Sequence, residues 1–162
     1  RQARKGIIHT VSYDRAKQLL SRSRFASRML VPSGGADSVA LVKRFREASA
    51  GVLVSPSVHT GHDFPGDLAR YQIIVKVPYP DTRFGLANAR ASEDPDWARR
   101  QAATTLVQMS GRIVRGPEDW GGTLVIDDNI VDLYSRHRPL FPQWFRVAFR
   151  SQTEIPEPLG FE

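Results

Sequence analysis

Gln108-Met-Ser-Gly-Arg-Ile-Val-Arg115, running on into Gly116-Pro-Glu-Asp-Trp-Gly-Gly-Thr-Leu-Val-Ile-Asp127, joins a helical pattern to an apolar strand through a turn rich in glycine. At about 100° per residue, Arg112 and Arg115 fall within roughly 40° of Gln108 on a helix. Ala98, Ala102, Leu106, Met109 and Ile113 gather on another face, which gives the helix one side to bury and one to present. Two fixed guanidiniums on a rigid element suit a polyphosphate; the plainer alternative is a set of surface ion pairs. Asp94-Pro95 ahead of Asp96-Trp97 marks the start, with Asp94 as cap and Pro95 in the first turn, and Gly116-Pro117 marks the end. The spacing therefore predicts a helix over about 95–114.

Outward from this stretch, apolar runs with β-branched residues recur at about 7–11, 28–32, 51–55, 72–78 and 123–127. Helical patterns fall between them, near 13–22 and 37–48. That alternation predicts an α/β fold: a three-layer domain with a mainly parallel sheet and helices on both faces. Ligands in such sheets meet the loops at the carboxyl ends of strands, which places Thr10 to Tyr13, Ser55 to Asp63 and Pro78 to Asp81 along one edge. A further helix is expected through Asp132-Leu-Tyr134. Leu140-Phe-Pro-Gln-Trp-Phe-Arg-Val-Ala-Phe149 supplies a last packed helix, with Phe141, Trp144, Phe145 and Phe149 in the core. Residues 1–150 read as one domain, and 151–162, with two prolines and little periodicity, as a C-terminal tail.

The chain has 162 residues, 41% of them hydrophobic, enough for one ordinary core. A formal charge of +6 suits nucleic acid or nucleotides, although a solvated basic surface gives the same sum. No apolar run reaches the length of a membrane span and no secretory signal is legible, so no membrane partner is expected and the protein reads as intracellular, cytoplasmic or nucleoid-associated. With no cysteine, the chain can form no disulfide and offers no thiolate to zinc or to an iron–sulfur cluster.

Taken together, Q-x-x-G-R-x-x-R at 108–115, an acidic residue and Gly, then an apolar strand ending in Asp127, resemble motif VI of superfamily 2 helicases, and the XPD/DinG group most closely. Lys5-Gly-Ile-Ile-His-Thr-Val-Ser-Tyr13 resembles motif IV, centred on about 6–13. Ser55-Pro-Ser-Val-His-Thr-Gly-His-Asp-Phe64 resembles motif V, about 55–64, and is followed by the strand Gln72-Ile-Ile-Val-Lys-Val-Pro-Tyr-Pro80, as in the family. His62 departs from the apolar residue usual between Gly and Asp.

The resemblance implies the second RecA-like motor lobe of an ATP-dependent helicase. Its partners would be the first lobe of the same polypeptide and single-stranded or forked DNA, with RNA as the alternative. ATP with Mg2+ would be bound mainly by the first lobe, and the isolated second lobe would be inactive as an ATPase. Arg112 and Arg115 would act as arginine fingers on the γ-phosphate, with Gln108 as a polar contact to the nucleotide or its water. Gly61, Asp63 and Gly111 would bind nucleotide or couple it to the track. Thr10, Ser12, Ser57 and Thr60 would touch strand phosphates.

Several short patterns compete. Ser33-Gly-Gly-Ala-Asp-Ser38 matches the pyrophosphate loop of N-type ATP pyrophosphatases and sits correctly between a strand and a helix, yet it leaves motifs V and VI unexplained. A non-catalytic nucleotide- or nucleic-acid-binding α/β module is the other alternative. His59 and His62 have ligand-like spacing but no third ligand, so no metal site is expected. Asp127-Asp128 could pass for a Walker B box, but no Gly-x-x-x-x-Gly-Lys-Ser/Thr loop accompanies it.

Overall fold

The computed structural model describes residues 5–32, 38–56 and 62–151. Five strands, β1 (Gly6–His9), β2 (Met29–Leu30), β3 (Val52–Ser55), β4 (Tyr71–Ile74) and β5 (Gly122–Val125), form one sheet in the order β2-β3-β1-β4-β5. Every pairing is parallel, with Gly6 beside Val52 and Tyr71, and Tyr71 beside Gly122. The helices are α1 (Tyr13–Arg22), α2 (Ser38–Glu47), α3 (Gly85–Glu93), α4 (Trp97–Ser110), α5 (Asn129–Arg136) and α6 (Gln143–Ala148).

Alternation along the strands sends successive side chains to opposite faces. Ile7 and Leu53 pack under Leu41, Val42 and Phe45 of α2, whereas Ile8 and Val54 pack against Ala16 of α1. Ile74 lies in register with His9 and so shares the α2 face, where it meets Ala102, Leu106 and Met109 of α4, Leu133 of α5 and Phe145 of α6. The predicted α/β class, parallel sheet and two covered faces are all present. At the head of β1, Gly6 permits a close approach, since a Cβ there would lie 2.2 Å from the Tyr71 ring.

Three sequence expectations need correction. The helix predicted over 95–114 starts at Trp97 and stops at Ser110, because the amides of Gly111 and Arg112 fold back to the carbonyls of Val107 and Met109 and close it. Asp94 acts through an Asx turn, accepting from the Asp96 amide at 3.1 Å, and Pro95 precedes the helix. Ile113 consequently leaves the stripe of Ala102, Leu106 and Met109 and enters the cluster beneath α2. Among the four aromatics assigned to the core, Phe141 and Phe145 are buried and Phe149 packs on them, but Trp144 is 50% exposed. Helix α3 has weak amphipathic patterning and was not legible in the sequence.

Candidate functional site

Helix α4 begins at the carboxyl end of the sheet and delivers its last turn to the amino end, where β5 begins. Gln72 anchors that turn. Buried in β4, its Nε2 donates to the carbonyls of Met109 (2.9 Å) and Ser110 (3.2 Å) and to Thr123 Oγ1 (2.8 Å), while Oε1 sits 3.0 Å from His9 Nε2. One amide thus ties β1, β4, β5 and the end of α4 together. Gly121 completes the turn, because a Cβ there would lie 2.8 Å from Ile113 Cδ1 and 3.3 Å from the Arg70 carbonyl.

Beyond Gly111 the chain carries two guanidiniums to one carboxylate. Arg112 Nη1 donates to Asp63 Oδ1 at 2.8 Å, and Arg115 Nη2 reaches the same oxygen. The backbones are joined as well, the Phe64 amide donating to the Arg112 carbonyl at 3.0 Å. Phe64 is buried against Phe45, and Arg46 of α2 donates to the Asp63 carbonyl at 3.0 Å, so Asp63 projects from a fixed support. The hydrogen bond from Arg115, then that from Arg112, hold the Asp63 carboxyl below its ordinary range, against a smaller opposing effect of burial. Asp63 therefore stays ionised between its two cations.

A second carboxylate sets the following turn. Asp119 accepts from the amides of Gly66 (3.1 Å), Arg115 (3.2 Å) and Trp120 (3.0 Å) and from Arg70 Nη1 (2.7 Å). Chiefly the Gly66 amide, with partial burial opposing and the other donors assisting, keeps its carboxyl below the usual range. Lys5, also buried, donates to the carbonyls of Phe45, Arg46 (3.2 Å) and Ala48 (2.8 Å) and so closes the end of α2 beneath the site. Gln72, His9, Asp119, Arg70 and Lys5 were missed as site residues. Their signal was a polar side chain inside or beside an apolar strand.

Arg112 and Arg115 were expected on one helical face with Gln108; both instead lie past the helix end. An open concavity of about 240 Å³ nevertheless collects Val107, Gln108, Gly111, Arg112 and Arg115. Arg112 Nε is buried and has no hydrogen-bond partner among the described residues. An unused donor beside a polar hollow is what an anionic oxygen requires.

The strand-contact candidates are placed differently. Thr10 is buried, its Oγ1 donating to the Ser12 carbonyl at 3.0 Å, and Ser12 caps α1 by accepting from the Arg15 amide at 3.3 Å. Between them Val11 holds φ +63, a costly conformation for a β-branched residue. Both sit after β1, at the carboxyl end of the sheet. Asp63 was grouped with that end, but its contacts with Arg46 and Arg112 put it at the amino end, about 13 Å away across a strand of four residues. Ser57, Thr60, Gly61, His59 and the loop from Ser33 to Asp37 lie outside the described residues. Asp127, the Walker B look-alike, accepts from the Val77 amide at 2.9 Å and the Asn129 amide at 3.1 Å, joining the exit of β4 to the start of α5.

A family model described as the helicase C-terminal domain matches residues 3–148. Among solved structures, apo XPD superposes with a TM-score of 0.60 at 18% sequence identity, the match covering 88% of this chain and 32% of the XPD chain. This chain thus spans about a third of that protein's length, and at this identity the likeness establishes the fold.

Proposed function

We propose a motor function from the premise that this chain belongs to the helicase C-terminal domain family: it is the second lobe of an ATP-dependent helicase, completing an ATP site whose other wall is the first lobe. The observation that carries this reading is the shared carboxylate. Asp63, from motif V, gathers both motif VI arginines beside the hollow that also holds Gln108 and Gly111.

Bound ATP with Mg2+, held mainly by the first lobe, would supply the γ-phosphoryl group whose charge spreads as it transfers. Arg112 offers that group its unpartnered Nε and the remaining fork of its guanidinium. Arg115, 45% exposed, can swing from Asp63 toward the incoming lobe. Gln108, exposed on the last turns of α4, orients the nucleotide or its water. Asp63 is a positioning residue: it pre-sets both guanidiniums, so little reorganisation is left for the moment of reaction. Arginine fingers of this kind contribute on the order of 10³ to 10⁵ in rate.

Contact with a single strand of DNA or RNA belongs to the opposite, carboxyl end of the sheet. Ser12, Ser57 and Thr60 are the proposed phosphate donors there, and Thr10 would join them by giving up its bond to the Ser12 carbonyl. Separate ends for nucleotide and strand let closure of the two lobes move the strand without the two ligands competing. Gly61, at the start of motif V, would link the two ends.

The test uses the complete protein carrying both lobes. Arg112→Lys and Arg115→Lys each keep the charge but lose the planar fork, so each should lower ATPase turnover by about 10²-fold or more while strand binding stays close to the parent's. Turnover unchanged by both substitutions would refute the finger assignment.

A further inference from the structure

The β5 edge of the sheet is open. Strand β5 ends the sheet on the β4 side, and the amides of Gly122 and Ile126 donate inward to the carbonyls of Arg70 (3.1 Å) and Ile74 (3.0 Å). Parallel ladders bond alternate residues, so Thr123 and Val125 turn their N–H and C=O groups to the free side, where no described residue pairs with them. At the opposite edge β2 has only two residues, which leaves little to pair. An unpaired edge of four residues is the kind of feature that folded proteins ordinarily cover.

The space beside β5 is apolar. A groove of about 1220 Å³ is lined by Leu124, Ile126, Val131, Trp144 and Phe149, among others. Leu124, Ile126, Val131 and Trp144 are 38, 47, 42 and 50% exposed, a concentration of unburied apolar surface along one wall. Helix α6 ends at Ala148, and the next residues, Arg150 and Ser151, themselves line the groove. The chain thus enters the groove with residues 152–162 still to follow.

Their sequence, Gln152-Thr-Glu-Ile-Pro-Glu-Pro-Leu-Gly-Phe-Glu162, fits an edge strand in two independent ways. Ile155, Leu159 and Phe161 fall on odd positions and would share one face, with Glu154 and Glu162 on the other. Pro156 and Pro158 both fall on even positions, so the amide-less residues would point the same way, outward to solvent, where an outermost strand tolerates proline. Extended, these eleven residues reach about 36 Å against about 13 Å for β5, which leaves slack for the chain to turn and align. We propose that residues 152–162 dock on the free edge of β5 as a sixth strand, with Ile155, Leu159 and Phe161 toward Trp144 and Phe149 of the α6 side.

Amide hydrogen exchange on the full chain tests this. The Thr123 and Val125 amides should exchange at least about tenfold more slowly in the parent than in an Ile155→Asp, Phe161→Asp variant, while the Ile8 and Val54 amides, deep in the sheet, exchange alike in both and report that the fold is intact. The proline positions give a second readout: Glu157→Pro removes an inward amide and should release Thr123 and Val125, whereas Glu154→Pro should not. Equal exchange at Thr123 and Val125 in all variants overturns the proposal. So does protection that appears only as protein concentration and dimer content rise, which would assign the edge to a second copy.

Discussion

Asp63 is the residue on which the nucleotide end of this lobe turns. Its carboxylate is the common partner of Arg112 and Arg115, and its backbone is held by Arg46 and by the amide-to-carbonyl bond from Phe64 to Arg112. Asp63→Asn removes the charge but keeps the shape, so the two guanidiniums repel and lose their register. ATPase turnover of the complete protein should fall by about tenfold to 10²-fold, the cost of small misplacements of a catalytic group. The stability effect should be modest, because the pair is 44% exposed at the aspartate and water screens it: no more than about 1 kcal/mol at neutral pH. Its sign with pH is fixed by the direction of the shift. A carboxyl held below its ordinary value stabilises the fold above the unfolded pKa and loses that contribution as pH falls below about 4. Parent and Asp63→Asn should therefore differ in urea midpoint at pH 7 and converge near the acid end of the titration. A difference that persists unchanged into acid would show that the carboxylate's charge is not what the arginines read.

At the scale of elements, the end of α4 is set by the strands rather than by its own pattern. Gln72 supplies the link, and Gln72→Leu, close in volume, would strand the Met109 carbonyl and the His9 ring without their partner in a buried setting. Unfolding free energy should drop by about 2 to 3 kcal/mol, and ATPase should fall further than stability alone explains, since Arg112 sits three residues beyond Met109. A loss under about 0.5 kcal/mol would mean that water replaces the amide and that the anchor is incidental. The five strands, α1, α2 and the regions of α5 and α6 were legible because period-two and period-3.6 patterns are local. The stop at Ser110 was not, because Ile113 continues the apolar stripe of α4 in sequence while in space it fills the gap between Gly121 and Phe64. Helix periodicity cannot separate those outcomes; only the neighbouring cluster does. For the same reason the grouping of Gln108, Gly111, Arg112 and Arg115 was right in membership and wrong in its cause: a turn, not a helical face, brings them to one hollow. Asp63 could be picked from its motif, but its partnership with both arginines is a contact across 49 and 52 positions of sequence that no local pattern encodes.

The whole molecule is one α/β lobe with chemistry at the amino end of its sheet and hydroxyl-bearing loops at the carboxyl end. On the proposed reading the 162-residue chain alone has no appreciable ATPase, because no phosphate-binding loop occurs in it; turnover by the purified chain without a partner lobe would refute that. Single-strand binding by the same chain should be weak and sequence-independent, with a log–log salt slope of about −0.7 per phosphate neutralised. Salt-insensitive or strongly sequence-selective binding would move the strand contacts away from phosphates. The central claim is that Arg112 and Arg115, gathered by Asp63, act on ATP rather than hold the lobe together. Its most direct test is the ATPase turnover of the complete protein carrying Arg112→Ala and Arg115→Ala, measured beside its strand affinity and its thermal midpoint. Turnover should fall by on the order of 10³-fold or more while strand affinity and midpoint stay near the parent values; turnover close to the parent's, or a fall matched by loss of the fold, would contradict it.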